Sequence, residues 1–245
     1  MKNIFICSAS IIILSLASVS SRVNAAMYVY PMEVSVGMNG ASKIKVISQD
    51  TDVQFIRVSL KQVLNPGTME ESEKETLADN PAGLIITPRK IALSSASERV
   101  VRLVSVEPPQ KETTWRAYFE SVNENNFLDQ DKYGKSNNSA NVGVNIVWGA
   151  LIHVAPKNVT VSLKINPKNG KVFNDGSIRI PIKEVGECHR DGQCQWTKKV
   201  VTVYPDMEVD IPKMTFSHAK TYRIKYFNWI TKKMEEAPLS ASQTN

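Results

Sequence analysis

The side chains best suited to catalysis or metal binding are few and scattered in this chain. Its three histidines are His153, His189 and His218, and none has the spacing of a pair of metal ligands. No serine stands in a G-x-S-x-G turn, and neither G-x-x-x-x-G-K-[ST] nor G-x-G-x-x-G occurs. One sequence neither reveals nor excludes two carboxylates at glycosidase spacing. We therefore predict that the protein is not an enzyme and has no cofactor or metal site. A binding function is the interpretation that this favours.

Two of the three cysteines are close enough in sequence to form a disulfide or to bind a metal ion together. Cys188 and Cys194 enclose five polar residues centred on Asp191-Gly192, a composition typical of a hairpin tip. In an exported protein, two cysteines are most simply interpreted as one disulfide. A zinc site with His189 is the alternative, but it requires a fourth ligand that the neighbouring sequence does not offer.

The N-terminus predicts export. Lys2 precedes an apolar run from Ile4 to Leu16, and small and polar residues follow as far as Ala25. This arrangement is typical of a signal peptide over 1–25, and the run is shorter than the roughly 20 residues of a membrane span. The formal net charge is +6, with cations scattered among acids. Such a pattern in an exported chain argues against nucleic-acid binding.

Short β-branched runs separated by turn signals fill nearly all of the remaining chain. About seven runs end at Pro156, an Asn39-Gly40 hairpin signal follows the first of them, and seven shorter runs come after Pro156. We predict an all-β protein with two immunoglobulin-like β-sandwich domains at a fixed angle and a cleft between them. The domains span 26–155 and 156–234, and 235–245 has the composition of a disordered tail.

The stretch from Asn141 to Pro156 is far longer than the usual strand of about five or six residues. In its first half, apolar residues recur at every second position, which predicts a strand with one apolar face. These residues are Val142, Val144, Ile146 and Trp148. The residues between them are mostly small and polar. The second half is apolar on both faces, as in a strand buried within its own domain.

Several segments, taken in order, resemble a known family. They are PAGLIITPRKIALSSASERVVRL (81–103), TTWRAYFESV (113–122) and the long strand closing on ALIHVAP. Together they resemble the periplasmic pilus chaperones of chaperone–usher systems, over essentially the whole mature chain. MYVYPMEVSV near the start, VLNPGTMEE and the Cys188–Cys194 hairpin favour the alternate branch, which serves class 5 fimbriae.

The resemblance implies donor-strand complementation in the periplasm, with fimbrial subunits and an outer-membrane usher as partners. A fimbrial subunit is an incomplete sandwich, and the long strand of the chaperone supplies the missing backbone hydrogen bonds and apolar side chains. The resemblance assigns the donor positions to Val142, Val144 and Ile146, with Trp148 continuing the same face. The alternative is that these side chains pack into the core of their own domain. The sequence leaves open whether a second copy caps the free donor strand in a dimer.

The better-known branch of this family holds the terminal carboxylate of the subunit with an Arg in the first strand and a Lys in the long strand. The matching positions are Glu33 and Leu151, so neither cation is carried over. Arg116, on the strand expected beside the donor, is the first candidate anchor. Arg89 and Arg102 follow. Each of the three is equally compatible with an ordinary surface or salt-bridged arginine, and Arg102 with an internal lock of the sandwich.

Two other functions compete with this interpretation. A secreted fimbrial subunit or adhesin would show an extension of alternating apolar residues before its first strand, whereas the first run here begins almost at the predicted cleavage site. An exported enzyme or sugar-binding module would show exposed aromatic residues in loops or paired carboxylates. Trp115, Trp148 and Trp229 fall within predicted strands, which argues against that function.

Overall fold

The chain folds into strands joined by turns, with one short helix in the part that is described. The computed structural model describes residues 27–75, 83–128, 146–189, 192–217 and 219–241. The helix, α1 (Glu124–Leu128), follows the ninth strand. Within these ranges no helix has the length and apolar character needed to span a bilayer. The predicted signal peptide over 1–25 lies outside the described residues.

The described residues of the first domain form ten strands. They are β1 (Met27–Tyr30), β2 (Glu33–Val36), β3 (Ala41–Ser48), β4 (Gln54–Leu64), β5 (Ser72–Glu75), β6 (Leu84–Thr87), β7 (Lys90–Leu93), β8 (Glu98–Ser105), β9 (Thr113–Val122) and β10 (Val147–Val154). One sheet has the order β1-β3-β8-β6. The other has the order β2-β10-β9-β4-β5, with β7 also paired to β4. The two sheets form the predicted sandwich.

Alternation of side chains along the strands forms the core between the two sheets. In β8, Val101 and Leu103 are fully buried, whereas Arg102 between them is exposed. In β9, Ala117 and Phe119 are buried and Tyr118 points to the opposite face. A period of two residues therefore places one face of each strand against the other sheet and leaves the second face at the surface.

Prolines divide two of the predicted runs, which is one reason why ten strands replace about seven. Pro31 separates β1 from β2, and Pro88 separates β6 from β7. Proline has no N–H to donate to a strand ladder, so pairing stops at each of these positions. The third additional strand, β5, lies within a segment that the sequence predicted to be a polar loop.

The predicted Asn39-Gly40 hairpin is wrong, although the turn itself forms. Gly40 N donates to Gly37 O at 2.9 Å, and Gly40 has a φ of 69°, which glycine adopts without strain. The two strands that flank the turn do not pair with each other. β2 pairs in parallel with β10, whereas β3 pairs with β1 and β8. The turn therefore carries the chain from one sheet to the other.

In the second domain, the part of the chain that is described contains seven strands. They are β11 (Leu163–Ile165), β12 (Val172–Asn174), β13 (Ile180–Cys188), β14 (Cys194–Val203), β15 (Glu208–Val209), β16 (Thr221–Asn228) and β17 (Lys233–Ala241). Hydrogen bonds join them in the order β14-β13-β16-β17-β11-β12-β15. The buried amide of Asn174 in β12 donates to Val203 O in β14 at 2.8 Å. The sheet therefore folds back over its own core.

The prediction of a disordered tail from 235 is wrong for 235–241, which belong to β17. This strand lies between β16 and β11, and its Ala237 and Leu239 are buried in the second core. The Glu, Pro and Ser residues of the segment gave it a disordered composition, but its alternate apolar residues are enough to complete the sheet. Residues 242–245 lie outside the described part of the chain.

Backbone hydrogen bonds and an ion pair connect the two domains directly. Glu112 N donates to Ser177 O at 2.7 Å, and Lys157 N donates to Pro109 O at 2.8 Å. Lys111 Nζ lies 2.5 Å from Asp206 Oδ1. These contacts hold the second domain against the end of the first.

The predicted disulfide is confirmed. Cys188 and Cys194 are bonded to each other, and they are register partners at the ends of β13 and β14. The sequence separation is 6, so the bond closes a short loop at the tip of the hairpin. The bond therefore fixes the outer ends of two long neighbouring strands.

We expect the double substitution Cys188→Ser and Cys194→Ser to lower the free energy of unfolding by about 2 kcal/mol, because a short closed loop loses modest entropy in the unfolded chain. Thermal unfolding and hydrogen exchange measure the effect. Amide exchange should accelerate in β13 and β14 and stay unchanged in β9 and β10. Equal acceleration in both domains would contradict the local role of the bond.

Candidate functional site

The two edges of β10 have different surroundings. One edge pairs with β9 along the whole of Val147–Val154. The other edge pairs with β2 only from Leu151 to Val154, and Leu151 N donates to Met32 O at 2.8 Å. No described strand pairs with 147–150 on that side. We call this part of β10 the free edge, because its backbone groups there have no neighbouring strand among the described residues.

Side chains of β10 alternate between the core and the cleft. Trp148, Ala150 and Ile152 point towards the core of the first domain, and Ala150 and Ile152 are fully buried. Val147, Leu151 and His153 point the other way, and their partners in β9 are Glu120, Arg116 and Thr114. The β10 strand therefore presents one face to its own core and the other to the cleft.

The structure describes two of the four predicted donor residues. Ile146 lies just before β10 and is 44% exposed, on the same face as Trp148. Trp148 is half-buried and packs against the core of the first domain. Its indole nitrogen is buried without a hydrogen-bond partner among the described residues. Val142 and Val144 lie outside the described residues.

Arg116 lies at the cleft, on β9 beside Leu151, and it is already ion-paired. Its Nη1 donates to Glu73, its Nη2 donates to Glu71 Oε1 at 3.2 Å, and Tyr118 OH donates to Glu73 at 2.6 Å. Burial alone lowers the pKa of Arg116, but the hydrogen bonds with Tyr118 and the two carboxylates raise it above its ordinary value. The guanidinium therefore stays charged.

The other two candidate anchors lie away from the free edge. Arg102 is exposed on the outer face of β8, in the sheet that does not contain β10, with Lys43 as its register partner. Arg89 is exposed, and its carbonyl accepts a hydrogen bond from Val58 N in β4. The β4 strand is two strands away from β10 in the sheet. Of the three candidates, the structure brings only Arg116 next to Leu151.

A buried cluster of charged side chains lies at the domain junction, and it was not predicted from the sequence. The Glu112 carboxylate has no exposed surface and accepts hydrogen bonds from Arg179 N at 2.8 Å, Arg179 Nη1 at 2.6 Å and Trp229 Nε1 at 2.9 Å. His153 Nδ1 lies 3.3 Å from Glu112, and its Nε2 lies 3.3 Å from Glu33. The cluster therefore joins β10 and the first domain to the second.

The cluster keeps both of its glutamates ionised. The His153 imidazole, whose Nε2 lies 3.3 Å from the carboxylate, lowers the pKa of Glu33, with a smaller contribution from Arg179. Burial alone raises the pKa of Glu112, but the neighbouring His153 and the hydrogen bonds and charge of Arg179 outweigh it and hold the pKa below 4.5. Glu33, found where the better-known branch has an arginine, thus has a partner of the opposite charge in Arg179, at 3.6 Å.

No family model matches the sequence, but individual proteins do. A protein named as a fimbrial subunit of the CS1 system of Escherichia coli is 30% identical over 215 residues, which cover 84% of this chain and 89% of the relative. Another, named as a fimbrial subunit of the CFA/I system of Escherichia coli, is 29% identical over 207 residues, which cover 81% of this chain and 84% of the relative.

Two solved structures share both fold and sequence with the chain. One is the class 5 fimbriae chaperone CfaA, at 25% identity and a TM-score of 0.68, covering 87% of this chain and 98% of that one. The other is a chaperone–tip adhesin complex of CFA/I fimbriae biogenesis, at 25% identity and a TM-score of 0.68, covering 88% and 99%.

The curated relatives are named as fimbrial subunits, whereas the structural relative that spans both domains of this chain is named as a chaperone. The fold supports the second name, because a two-domain sandwich protein with its own complete cores matches that chaperone over nearly its full length. The chain belongs to the pilus chaperones of chaperone–usher systems, in the branch of the class 5 fimbriae chaperones.

Proposed function

We propose that this chain is a periplasmic chaperone that binds a fimbrial subunit by donor-strand complementation and delivers it to an outer-membrane usher. The free edge of β10 is the observation that carries the proposal. A strand that pairs on one side only over 147–150, next to a cleft, offers backbone N–H and C=O groups to a strand of another protein. Chaperones of this kind are not enzymes.

Side chains on the Ile146 face supply the second part of the interaction. A subunit that lacks its last strand exposes an apolar groove, and side chains spaced two residues apart fill such a groove. Burying three or four side chains of the size of valine or isoleucine contributes on the order of 5 to 10 kcal/mol before the costs of ordering. The predicted positions Val142 and Val144 continue this face towards the N-terminus.

Arg116 is our candidate for the group that holds the terminal carboxylate of the subunit. It is beside Leu151, where the pairing of β2 with β10 begins and the free edge ends. A carboxylate bound there would fix how far the subunit strand extends along β10. Guanidinium groups suit this task, because their fork of N–H donors matches the two oxygens of a carboxylate.

The names of the curated relatives favour a second candidate function, that of a fimbrial subunit. Such a subunit lacks a strand and assembles with copies of itself, whereas a chaperone binds one subunit and stays separate. The two functions therefore predict different products when the chain is produced alone and with a partner.

We expect co-expression of this chain with a class 5 major fimbrial subunit to yield a soluble complex with one copy of each. The subunit produced without this chain should aggregate or be degraded, since its groove stays uncovered. Size-exclusion chromatography of periplasmic extracts measures both outcomes. Equal recovery of soluble subunit with and without the chain would refute the chaperone function, and polymers of the chain alone would favour the subunit function.

A further inference from the structure

The guanidinium of Arg116 is occupied by carboxylates of its own chain. It is hydrogen-bonded to Glu71 and Glu73, and its side chain is 29% exposed. Lys61, its register partner in β4, is paired with Glu75 at 3.5 Å. Two cations thus face three carboxylates, and a fourth carboxylate arriving from a subunit would add repulsion unless one of the three moved away.

The two carboxylates on Arg116 are held with different firmness. Glu73 is part of β5, has a side chain 21% exposed and accepts a further hydrogen bond from Tyr118. Glu71 precedes β5 in a turn, has a side chain 35% exposed and lies at the longer distance of 3.2 Å. Glu71 is therefore the partner that a competing carboxylate can displace at lower cost, and Glu73 is the partner that keeps Arg116 oriented.

The aliphatic part of the Arg116 side chain packs beside Gly149, within the free edge. A Cβ placed on Gly149 would be 3.3 Å from Arg116 Cδ and 3.4 Å from the Tyr118 ring. The absence of a side chain at Gly149 thus leaves room for Arg116, whose guanidinium is held by Glu71 and Glu73. A subunit strand that pairs with this edge would be the next strand along from this side chain.

We propose that Glu71 is an internal competitor for the carboxylate site, so that it occupies Arg116 in the free chaperone and is displaced when the subunit binds. This inference rests on the proposed function and adds a residue that sets the selectivity of the chaperone for its ligand. A ligand ending in a free carboxylate at this position replaces Glu71 on Arg116. A ligand whose carboxylate lies elsewhere leaves Glu71 in place and gains nothing from the arginine.

Glu71 also joins Arg116 to a turn that borders the second domain. Glu71 Oε2 accepts a hydrogen bond from Gly67 N at 2.9 Å, and a Cβ at Gly67 would lie 3.2 Å from the ring of Tyr204. The turn is therefore attached to Arg116 through Glu71 and lies against the second domain at Gly67. Displacement of Glu71 by a carboxylate would remove the attachment to Arg116.

The substitution Glu71→Gln tests the proposal, because it removes the charge and keeps an oxygen for Gly67 N. We expect a class 5 major subunit to leave its purified complex with the Glu71→Gln chaperone about three- to tenfold more slowly than from the wild-type complex, when displaced by an excess of synthetic donor-strand peptide. The same subunit extended by two glycines at its C-terminus should leave both complexes at the same rate.

Glu75→Gln is the matched control, because it removes the same charge from the same segment at a residue paired with Lys61. It should change the displacement rate by less than twofold. Arg116→Lys keeps the charge but loses the fork of donors. In a chaperone that already carries Arg116→Lys, the Glu71→Gln substitution should change the displacement rate very little. Equal effects of Glu71→Gln and Glu75→Gln, or an equal effect on the extended subunit, would overturn the proposal. Failure of the wild-type chain to capture any subunit would instead overturn the chaperone function, and this inference with it.

Discussion

An Ile146→Asp substitution is expected to abolish recovery of a soluble complex with the fimbrial subunit while leaving the chaperone folded. Ile146 is 44% exposed just before β10, so the substitution costs the free chain little. In the complex that we propose, the same position is buried in the groove of the subunit. The complex then loses about 1.5 to 3 kcal/mol of apolar burial and also carries an unpaired carboxylate in an apolar site. The combined loss corresponds to at least a hundredfold weaker binding.

Val147→Asp is the matched control for this substitution. Val147 is 46% exposed and adjacent in sequence, but it points to the opposite face of the strand. Its replacement should reduce recovery of the complex far less. The amount of subunit that copurifies with the tagged chaperone measures binding, and thermal unfolding verifies that each variant folds. If both substitutions reduced recovery equally, filling of the groove by the Ile146 face would be wrong.

Replacement of Glu112 by Gln is expected to destabilise the chain by about 3 to 5 kcal/mol, since it removes the nearest and the only fully buried counter-charge that the described residues offer to the guanidinium of Arg179. Arg179 is 6% exposed, and its Cζ lies 4.7 Å from the centre of the Trp229 ring. A glutamine also places an amide donor where Arg179 and Trp229 both donate. Urea unfolding measures the loss. The exposed Glu107→Gln is the control and should change the free energy of unfolding by less than about 0.5 kcal/mol.

The pH dependence of stability gives an independent measure of the same carboxylate. The pKa of Glu112 lies below 4.5 in the folded chain. Between that pKa and 4.5, the unfolded chain therefore binds more protons than the folded chain. Stability from Glu112 is therefore fully present above pH 4.5 and is lost as the pH falls through the pKa of the folded state. The urea midpoint of the Glu112→Gln variant should fall less over this range than that of the wild type. Identical pH slopes would contradict the role of Glu112.

Much of the fold follows from local patterns in the sequence. Alternation in β8 and β9 identified the strands, and the composition around Cys188 and Cys194 identified the hairpin, because both depend on neighbouring residues. The partner of β2 could not be predicted in this way. Its pairing with β10 joins residues more than a hundred positions apart, and the Asn39-Gly40 turn favoured a nearby partner instead. The Glu, Pro and Ser content of β17 similarly concealed a strand that the second sheet completes.

The candidate site was predictable to a smaller extent. The resemblance to a family predicted that β10 is part of the site. Arg116 was expected on the strand beside β10, and the pairing of Arg116 with Leu151 agrees with this. Its two glutamate partners were not predicted, because β5 was interpreted as a loop. The cluster of Glu112 and Arg179 was also missed. These residues are 67 positions apart, and no local pattern indicates that two distant polar side chains share a dry interface.

The β10 strand carries the free edge at one end and His153, within the domain junction, at the other. His153 is seven positions after Ile146, a distance of about 23 Å in an extended strand. The same strand therefore contributes both to the edge that we propose for subunit binding and to the contact between the two domains.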